Sequence, residues 1–253
     1  MNTRVGATRR AGRRLALLAT AALMYPVTAA PNAPRAEIQV NLCGDPARII
    51  ERLQLKAHAS VRAVWYFDTP DLALRARGIV FRLRDNREGA DLTLKAAGQE
   101  CATVPSALLP RAEGKCENDW HGTHVQGAVS LSRRLDSTDA MALREGPAAL
   151  AAALSASQVR FLRERLGAWP LPPGIGALGP VTLQEYRPQQ GAYTVEVWTV
   201  PPATTFVEIS QKSADASAAR VRDELLARLA RANVEVCADQ SSRADDKLEQ
   251  LRR

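Results

Sequence analysis

The sequence predicts an α+β fold: a closed antiparallel β barrel with a polar lumen and with amphipathic helices packed outside. Charged residues alternate with aliphatic residues in nearly every predicted strand. Amphipathic helical segments are available to cover the aliphatic strand faces, and neither half of the chain has enough strands to close a barrel alone. One barrel with polar side chains inside satisfies all three observations. An open sheet whose polar face meets solvent is the alternative.

The clearest alternation lies between residues 64 and 95, which predict a strand, a turn and two more strands. Side chains in a strand alternate between its two faces, so Arg82 and Arg84 share a face that is opposite to Phe81. In the next strand Lys95 is likewise separated from its aliphatic neighbours. Cations gathered on one β surface repel each other unless carboxylates or an anion lie opposite. We therefore expect an anion to contact this face.

Acidic residues follow the same alternation elsewhere in the chain. Glu37 lies on the polar face of the first predicted strand, and Glu196 and Glu208 alternate with valine and isoleucine in late strands. Glu117 and Asp119 share one face of their segment, and two acids one strand period apart suit a hard divalent cation. The alternative for this pair is a solvated surface. The strands predicted outside residues 64–95 are 37–42, 181–187, 193–198, 206–212 and 233–237.

Three stretches predict helices. Asp45 followed by Pro46 is a typical helix start, because the carboxylate caps the helix and proline is tolerated at the first helical position. Apolar residues of the last stretch, such as Leu225 and Leu229, form one stripe that is typical of core packing. We expect helices from Pro46 to about Lys56, over 137–165 with a break near Gly146, and over 213–232.

Four cysteines, an even number in a chain predicted to be exported, favour disulfides over free thiols. Of the three possible pairings we favour Cys101 with Cys116, which would staple one loop, and Cys43 with Cys237, which would join the first strand to the last. The alternative is that some of them are buried free thiols. Their spacing fits no zinc pattern.

Residues 1–29 have the pattern of a signal peptide. Five arginines precede a short apolar run, and Val27-Thr28-Ala29 supplies small residues for cleavage. A segment that crosses a bilayer needs about 20 apolar residues, so this shorter run predicts export to the periplasm or the medium and no stable membrane insertion. Residues 30–253 are then predicted to form a single domain.

Removal of this segment also changes the charge of the protein. The whole chain carries a formal charge of +7, and the segment holds five arginines and no acid, which leaves +2. Nucleic-acid-binding domains usually show a marked basic excess. Nucleic acid is therefore not an expected partner.

The run from Tyr66 to Lys95 also resembles the CYTH domain, the family of triphosphate tunnel metalloenzymes that includes class IV adenylate cyclases, thiamine triphosphatases and inorganic triphosphatases. The matching residues, in the family's order, are Tyr66, Phe67, Asp68, Thr69, Pro70, Leu74, Arg82, Arg84, Leu92, Leu94 and Lys95. The resemblance implies an antiparallel barrel whose lumen binds a small triphosphate or polyphosphate through arginine and lysine, and a divalent metal through acids.

The resemblance further implies a set of site residues. The residues that would contact phosphate are Arg82, Arg84, Lys95, Arg187 and Lys212. Those that would hold Mg²⁺ or Mn²⁺ are Glu37, Glu117, Asp119 and Glu208, with Glu196 as the candidate for orienting the attacking water and Lys247 in the position of a lysine in the family's tail.

The chain departs from the family's pattern at three of these strand positions. The first-strand signature Glu-x-Glu-x-Lys reads Glu37, Gln39 and Asn41 here, and the second acid of a later Glu-x-Glu pair is Ser210. Each lost charge removes charge-assisted contacts worth about 1.5 to 3 kcal/mol. The replacements are polar, which indicates that this face still meets water or ligand.

Two functions of different classes follow. The first is a metal-dependent hydrolase of triphosphates such as inorganic tripolyphosphate, because arginines bind phosphate oxygens bidentately and a metal held by carboxylates neutralises charge on the transferring oxygens. The second is an exported binding protein for polyphosphate or organic phosphate that has lost catalysis, which the missing acids and lysine favour. Cyclase activity on ATP is less favoured, because nothing in the sequence indicates a base-recognition pocket.

Overall fold

A computed structural model describes Met1 and residues 35–86, 88–146 and 149–252. The predicted signal peptide, residues 1–29, lies outside these ranges except for Met1. None of the described helices combines the length and the apolar character that are needed to cross a bilayer.

Strands make up most of the described chain, and the helices are short. The elements in chain order are β1 (Arg35–Cys43), α1 (Pro46–Arg52), β2 (Leu55–Ala57), β3 (Arg62–Asp68), β4 (Ile79–Asn86), β5 (Gly89–Ala97), β6 (Gly114–His121), β7 (His124–Leu135), α2 (Ser137–Glu145), α3 (Ala149–Ala153), α4 (Ala156–Glu164), β8 (Gly176–Pro188), β9 (Tyr193–Val200), β10 (Thr204–Ala214), α5 (Ala218–Arg231), β11 (Glu235–Val236) and α6 (Arg243–Leu251).

Nine strands close into a barrel in the order β1, β10, β9, β8, β3, β4, β5, β7 and β6, with β6 pairing back onto β1. The closed barrel with helices outside is confirmed. The prediction of a purely antiparallel barrel is wrong at one place, because β1 and β6 are parallel, with Glu37 opposite Asp119. A parallel pair needs a long crossover between its strands, and here four strands intervene in the chain.

Two hydrophobic cores lie between the strands and the outer helices. One contains the outward side chains of β4 and β5, such as Phe81 and Leu92, beneath Phe161 of α4. The other contains Val40 of β1 and Ile209 of β10, beneath Leu225 of α5 and Ile49 of α1. Burial of one such side chain contributes about 1.5 to 3 kcal/mol. These cores leave the opposite face of each strand for the lumen.

A third apolar cluster lies inside the barrel. Tyr66 and Trp198 point into the lumen and pack with Leu248 of α6. Val64 and Val200 share strand faces with them, because side chains alternate with a period of two. We call this cluster, with the α6 residues that pack into it, the sealed end. The lumen is therefore polar along most of its length but apolar where α6 enters it.

The helix boundaries differ from the prediction in three places. The last helix, predicted over 213–232, begins only at Ala218, because β10 continues to Ala214. Asp45 caps α1 as predicted, since its carboxylate accepts a hydrogen bond from the Arg48 amide. The helix ends before Gln54, which has a positive φ of 52°, and the chain then turns into β2. The segment 137–165 forms three helices rather than one or two, and Ser155 starts the third with a reciprocal capping box.

Both predicted disulfides are confirmed. Cys101 pairs with Cys116 and staples the loop before β6. Cys43 pairs with Cys237 and joins the end of β1 to the residue after β11. The described residues contain no free cysteine, so the free-thiol alternative is excluded for this structure.

Candidate functional site

The lumen is a cavity of about 840 Å³, and charged side chains supply much of its lining. The described lining residues include nine lysines or arginines and six aspartates or glutamates. Most come from alternate positions in the strands, because one face of each barrel strand points inward, and the rest come from α6 and from Arg75 before β4. The excess of three positive charges favours an anion as ligand.

All five residues that were predicted to contact phosphate lie on this lining. They are Arg82 and Arg84 on β4, Lys95 on β5, Arg187 on β8 and Lys212 on β10. The alternation of each strand, rather than proximity in the sequence, brings them together, since they come from four different strands. An anion in the lumen would therefore meet cations from several directions.

Arg84 lies among acids that it does not hydrogen-bond. Its terminal nitrogens are 3.7 Å from Glu185 Oε1 and 3.8 Å from Glu196 Oε1, longer than a hydrogen bond. Its Nε is buried and has no partner among the described residues. Burial, followed by the charge of Arg82, lowers the pKa of Arg84 to about 10. This guanidinium therefore has donors available for a ligand.

Arg82 and Arg187 are freer still. Within the described ranges neither side chain makes an ion pair or a hydrogen bond, although both line the cavity. Arg62 of β3, by contrast, pairs directly with Glu185 of β8. Glu185 therefore holds Arg62, and no acid in the described ranges holds Arg82 or Arg187.

The four predicted metal ligands do not come together as a group. Glu37, Asp119 and Glu208 line the cavity, whereas Glu117 does not. In the described part of the chain no three His, Cys, Asp or Glu side chains are placed to hold a metal ion. Hard divalent cations need several oxygen ligands at one point. The residues present therefore do not fit the predicted metal centre.

Two of these carboxylates form ion pairs with lysines. Lys95 Nζ lies 2.5 Å from Asp119 Oδ2. Glu117 is buried and pairs directly with Lys115, with Lys212 at 3.5 Å and Arg35 at 3.8 Å. Burial alone would raise the pKa of Glu117, but the hydrogen bond and charge of Lys115 hold it below its usual range. Glu117 is therefore a carboxylate shared among cations.

Glu196, the candidate for orienting water, faces the lumen and is itself oriented. Its Oε2 accepts a hydrogen bond of 3.1 Å from Trp198 Nε1. The other oxygen is the one that lies 3.8 Å from Arg84. Glu196 is thus fixed between the arginine pair and the sealed end.

Lys247 of α6 reaches the sealed end and is almost fully buried, with 4% of its surface exposed. Its Nζ lies 3.4 Å from the centre of the Trp198 ring. Burial lowers the pKa of Lys247 to about 7, and burial also raises that of the neighbouring Glu208 to about 7. The lysine that the tail was expected to carry does enter the lumen, in an environment that disfavours its charge.

The sequence reasoning did not find Arg75, which lines the lumen and holds α6. Its guanidinium lies 3.0 Å from Asp245 and 2.5 Å from Glu249. Asp68, the buried last residue of β3, positions it by accepting hydrogen bonds from the amides of Leu74 and Arg75. The signal was present in the Asp-Thr-Pro motif, whose role here is to shape this turn.

Asn41 corrects one expectation. Its polar side chain was expected to meet water or ligand, but Asn41 is only 1% exposed. Its side-chain amide donates to the backbone oxygens of Asp239 and Ser241. The residue at the position of the family's lysine therefore anchors the C-terminal tail.

Comparisons with known proteins agree on the fold. A candidate adenylyl cyclase from Hippeastrum, described as having a dominant triphosphatase activity, is 18% identical with a TM-score of 0.55; the match covers 85% of this chain and 96% of that one. A candidate adenylate cyclase from Bacillus halodurans is 16% identical with a TM-score of 0.56, over 83% of this chain and 95% of that one. No protein-family model and no curated protein matches the chain. The chain has the CYTH-type barrel fold.

Proposed function

We propose that the lumen binds a linear polyphosphate anion and that inorganic tripolyphosphate is the first ligand to test. The observation that carries this proposal is the set of arginines Arg82, Arg84 and Arg187, which line the cavity without a hydrogen-bonded acid among the described residues. Arg82 and Arg84 are half-buried and Arg187 is exposed, and a cleft lined by charges of one sign attracts ligands of the opposite sign. A phosphate chain supplies the oxygens that would pair with these arginines.

The chemistry of the donors suits phosphate. A guanidinium offers two parallel N–H donors to neighbouring phosphate oxygens. Each charge-assisted hydrogen bond contributes about 1.5 to 3 kcal/mol. Three arginines and the adjacent lysines can therefore hold several oxygens of one chain.

The aromatic residues of the lining favour a compact anion over a nucleotide. Tyr66, Trp198 and Tyr193 are 2%, 1% and 4% exposed, so their rings are covered by protein. Recognition of a base commonly uses an open aromatic face on which the base stacks. None of these three rings offers one.

The test is isothermal titration of tripolyphosphate into the oxidised protein without residues 1–29, the predicted signal peptide. Arg84→Ala is expected to weaken binding by about 10- to 100-fold, which corresponds to about 1.5 to 3 kcal/mol. Arg220→Ala is the matched control, because Arg220 is 65% exposed on α5. Equal affinity in the two variants would contradict the proposal.

Metal-dependent hydrolysis of the bound anion is the second candidate function. It is favoured by the likeness in fold to the Hippeastrum protein, which is described as having a dominant triphosphatase activity. It requires Glu37, Asp119 and Glu208 to rearrange around a metal, because in this structure they are not placed to hold one. Phosphate release from tripolyphosphate, measured with Mg²⁺, with Mn²⁺ and with chelator, distinguishes the two functions. Release that needs metal and that Glu196→Gln lacks supports hydrolysis; binding without release supports a binding protein.

We further propose that the protein acts after export, in the periplasm or outside the cell. Both disulfides favour an oxidising compartment. Fractionation of cells that express the full chain tests this, and a reduced protein in the cytoplasmic fraction would contradict it.

A further inference from the structure

Lysine is rare in this chain, and its positions are concentrated in the lumen. The sequence holds five lysines and 29 arginines. Lys95, Lys115, Lys212 and Lys247 line the cavity, whereas Lys56 is exposed on β2. The two residue types are not interchangeable, because an ammonium is a compact, strongly hydrated point charge and a guanidinium is a planar fork. A chain that otherwise uses arginine has therefore placed ammonium groups in its lumen.

Two of these ammonium groups meet on one carboxylate oxygen. Lys115 Nζ donates to Glu117 Oε2, and Lys212 Nζ lies 3.5 Å from the same atom. The two lysines come from different strands, β6 and β10, and both are about half exposed, at 48% and 45%. Their free donors therefore remain accessible from the cavity while Glu117 fixes their positions.

Two of the three carboxylates around this point, those of Glu117 and Asp119, are already paired with lysines. Glu37 lies in register with Asp119 on one side and with Lys212 on the other. Asp119 is already held by Lys95. A divalent cation at this point would have to displace at least one ammonium before it reached two carboxylates.

We propose that Lys115 and Lys212, held together by Glu117, take the place of a divalent cation, so that the lumen binds a linear polyphosphate without metal. Two ammonium groups supply the same formal charge as one Mg²⁺, at positions set by the fold. The inference rests on the proposed function of the lumen. It adds that two lysines do the work of a metal ion, so that binding needs none.

The first experiment is isothermal titration of tripolyphosphate into the oxidised protein, in metal-stripped buffer and in buffer with Mg²⁺ or Mn²⁺. We expect equal affinity in the two buffers, or weaker binding with metal, because the cation neutralises the ligand. A rise in affinity of about tenfold or more with metal overturns this inference and leaves the proposed function standing. Failure to bind in any buffer overturns the proposed function, and this inference with it.

The second experiment removes the two lysines. Lys115→Met with Lys212→Met is expected to weaken binding in metal-stripped buffer by about tenfold or more. The control Lys56→Met should bind as the unmodified protein does. Added Mg²⁺ should restore part of the lost affinity, because the Glu117 carboxylate is released for a metal.

A third variant tests whether misfolding, rather than the loss of the lysines, weakens binding. The double substitution leaves a buried carboxylate with a single distant cation, so Glu117→Gln is added to it to remove that charge. This triple variant should show the same loss, and Mg²⁺ should not reverse it. Unchanged affinity in the double or triple variant, or a loss in the double variant that Mg²⁺ does not reduce, overturns the proposal.

Discussion

Lysine side chains lie in opposite environments in the charged part of the lumen and at the sealed end. In the charged part, around Arg82, Arg84 and Arg187, Lys115 and Lys212 are about half exposed. At the sealed end Lys247 is 4% exposed and lies against Trp198. An ammonium that keeps its water costs little, whereas a desolvated one is unfavourable unless it is paired. We infer that the charged part serves binding and that packing at the sealed end supplies stability.

The largest expected effect is on packing at the sealed end. Trp198→Ala removes a side chain that is 1% exposed and that contacts both the barrel and α6. We expect the free energy of unfolding to fall by about 3 to 5 kcal/mol, because the surrounding residues cannot fill the cavity. Chemical denaturation measures this. A loss below about 1 kcal/mol would show that α6 does not depend on this contact.

The charged part should respond in the opposite way. Arg82→Ala is expected to weaken tripolyphosphate binding by about 1.5 to 3 kcal/mol, since the guanidinium is free to pair with phosphate. Its melting temperature should stay the same or rise, because removing it relieves repulsion with Arg84. Calorimetry and thermal unfolding on one sample compare the two effects. A clear fall in melting temperature would erase the distinction between the two regions.

Lys247→Met tests whether the buried lysine opposes folding. We expect the variant to be more stable at pH 7 by about 1 to 3 kcal/mol, since a buried charge is replaced by an apolar side chain of similar size. Weaker ligand binding would show that the charge is kept for function. A less stable variant would mean that the contact between Lys247 and Trp198 stabilises the fold by more than burial of the ammonium costs.

The same residue predicts a pH dependence. Burial lowers the pKa of Lys247 from 10.5 to about 7, so between these values the unfolded chain binds more protons than the folded protein. Its contribution therefore makes the protein more stable as the pH rises through this window. Denaturation curves from pH 7 to 9.5 should show a rise in the unmodified protein that Lys247→Met lacks. Parallel curves would refute the assignment.

The smallest effect is expected at the contact that holds α6 from outside the sealed end. Arg75 pairs with Asp245 and Glu249, whose side chains are 43% and 35% exposed. Such partly exposed pairs contribute about 0.2 to 1 kcal/mol each, so Arg75→Gln should barely change global stability. Hydrogen exchange of α6 should nevertheless become faster. Exchange at the original rate would mean that apolar packing alone positions the helix.

Much of the barrel could be predicted because strand alternation is a local signal. On β4 the inward Arg82 and Arg84 and the outward Phe81 follow from a period of two, and the structure places them on the lumen and the core respectively. The disulfides were also accessible, since only three pairings exist and one of them joins the predicted first and last strands. Strand alternation also predicted that Lys95 and Arg187 face the lumen, and both line it.

The remaining features depend on contacts between distant segments. The parallel pairing of β1 with β6 leaves no local trace, because either direction preserves the alternation of each strand. A charged terminal stretch such as α6 looks solvated in sequence, although Leu248 buries it in the barrel. The pairing of Glu117 with Lys212 joins strands far apart in the chain. Neither the propensity nor the period of a segment encodes such encounters.

The bridge between Cys43 and Cys237 makes most of the chain a closed loop whose two ends are 194 positions apart in the sequence. A single proteolytic cut inside that loop, for example in the glycine- and proline-rich segment before β8, would not divide the molecule. The two pieces would remain one covalent unit, with α6 still tethered to the first barrel strand, until a reductant opened the bridge. Outside the reducing cytoplasm, a nicked copy could therefore keep every side chain of the lumen in place.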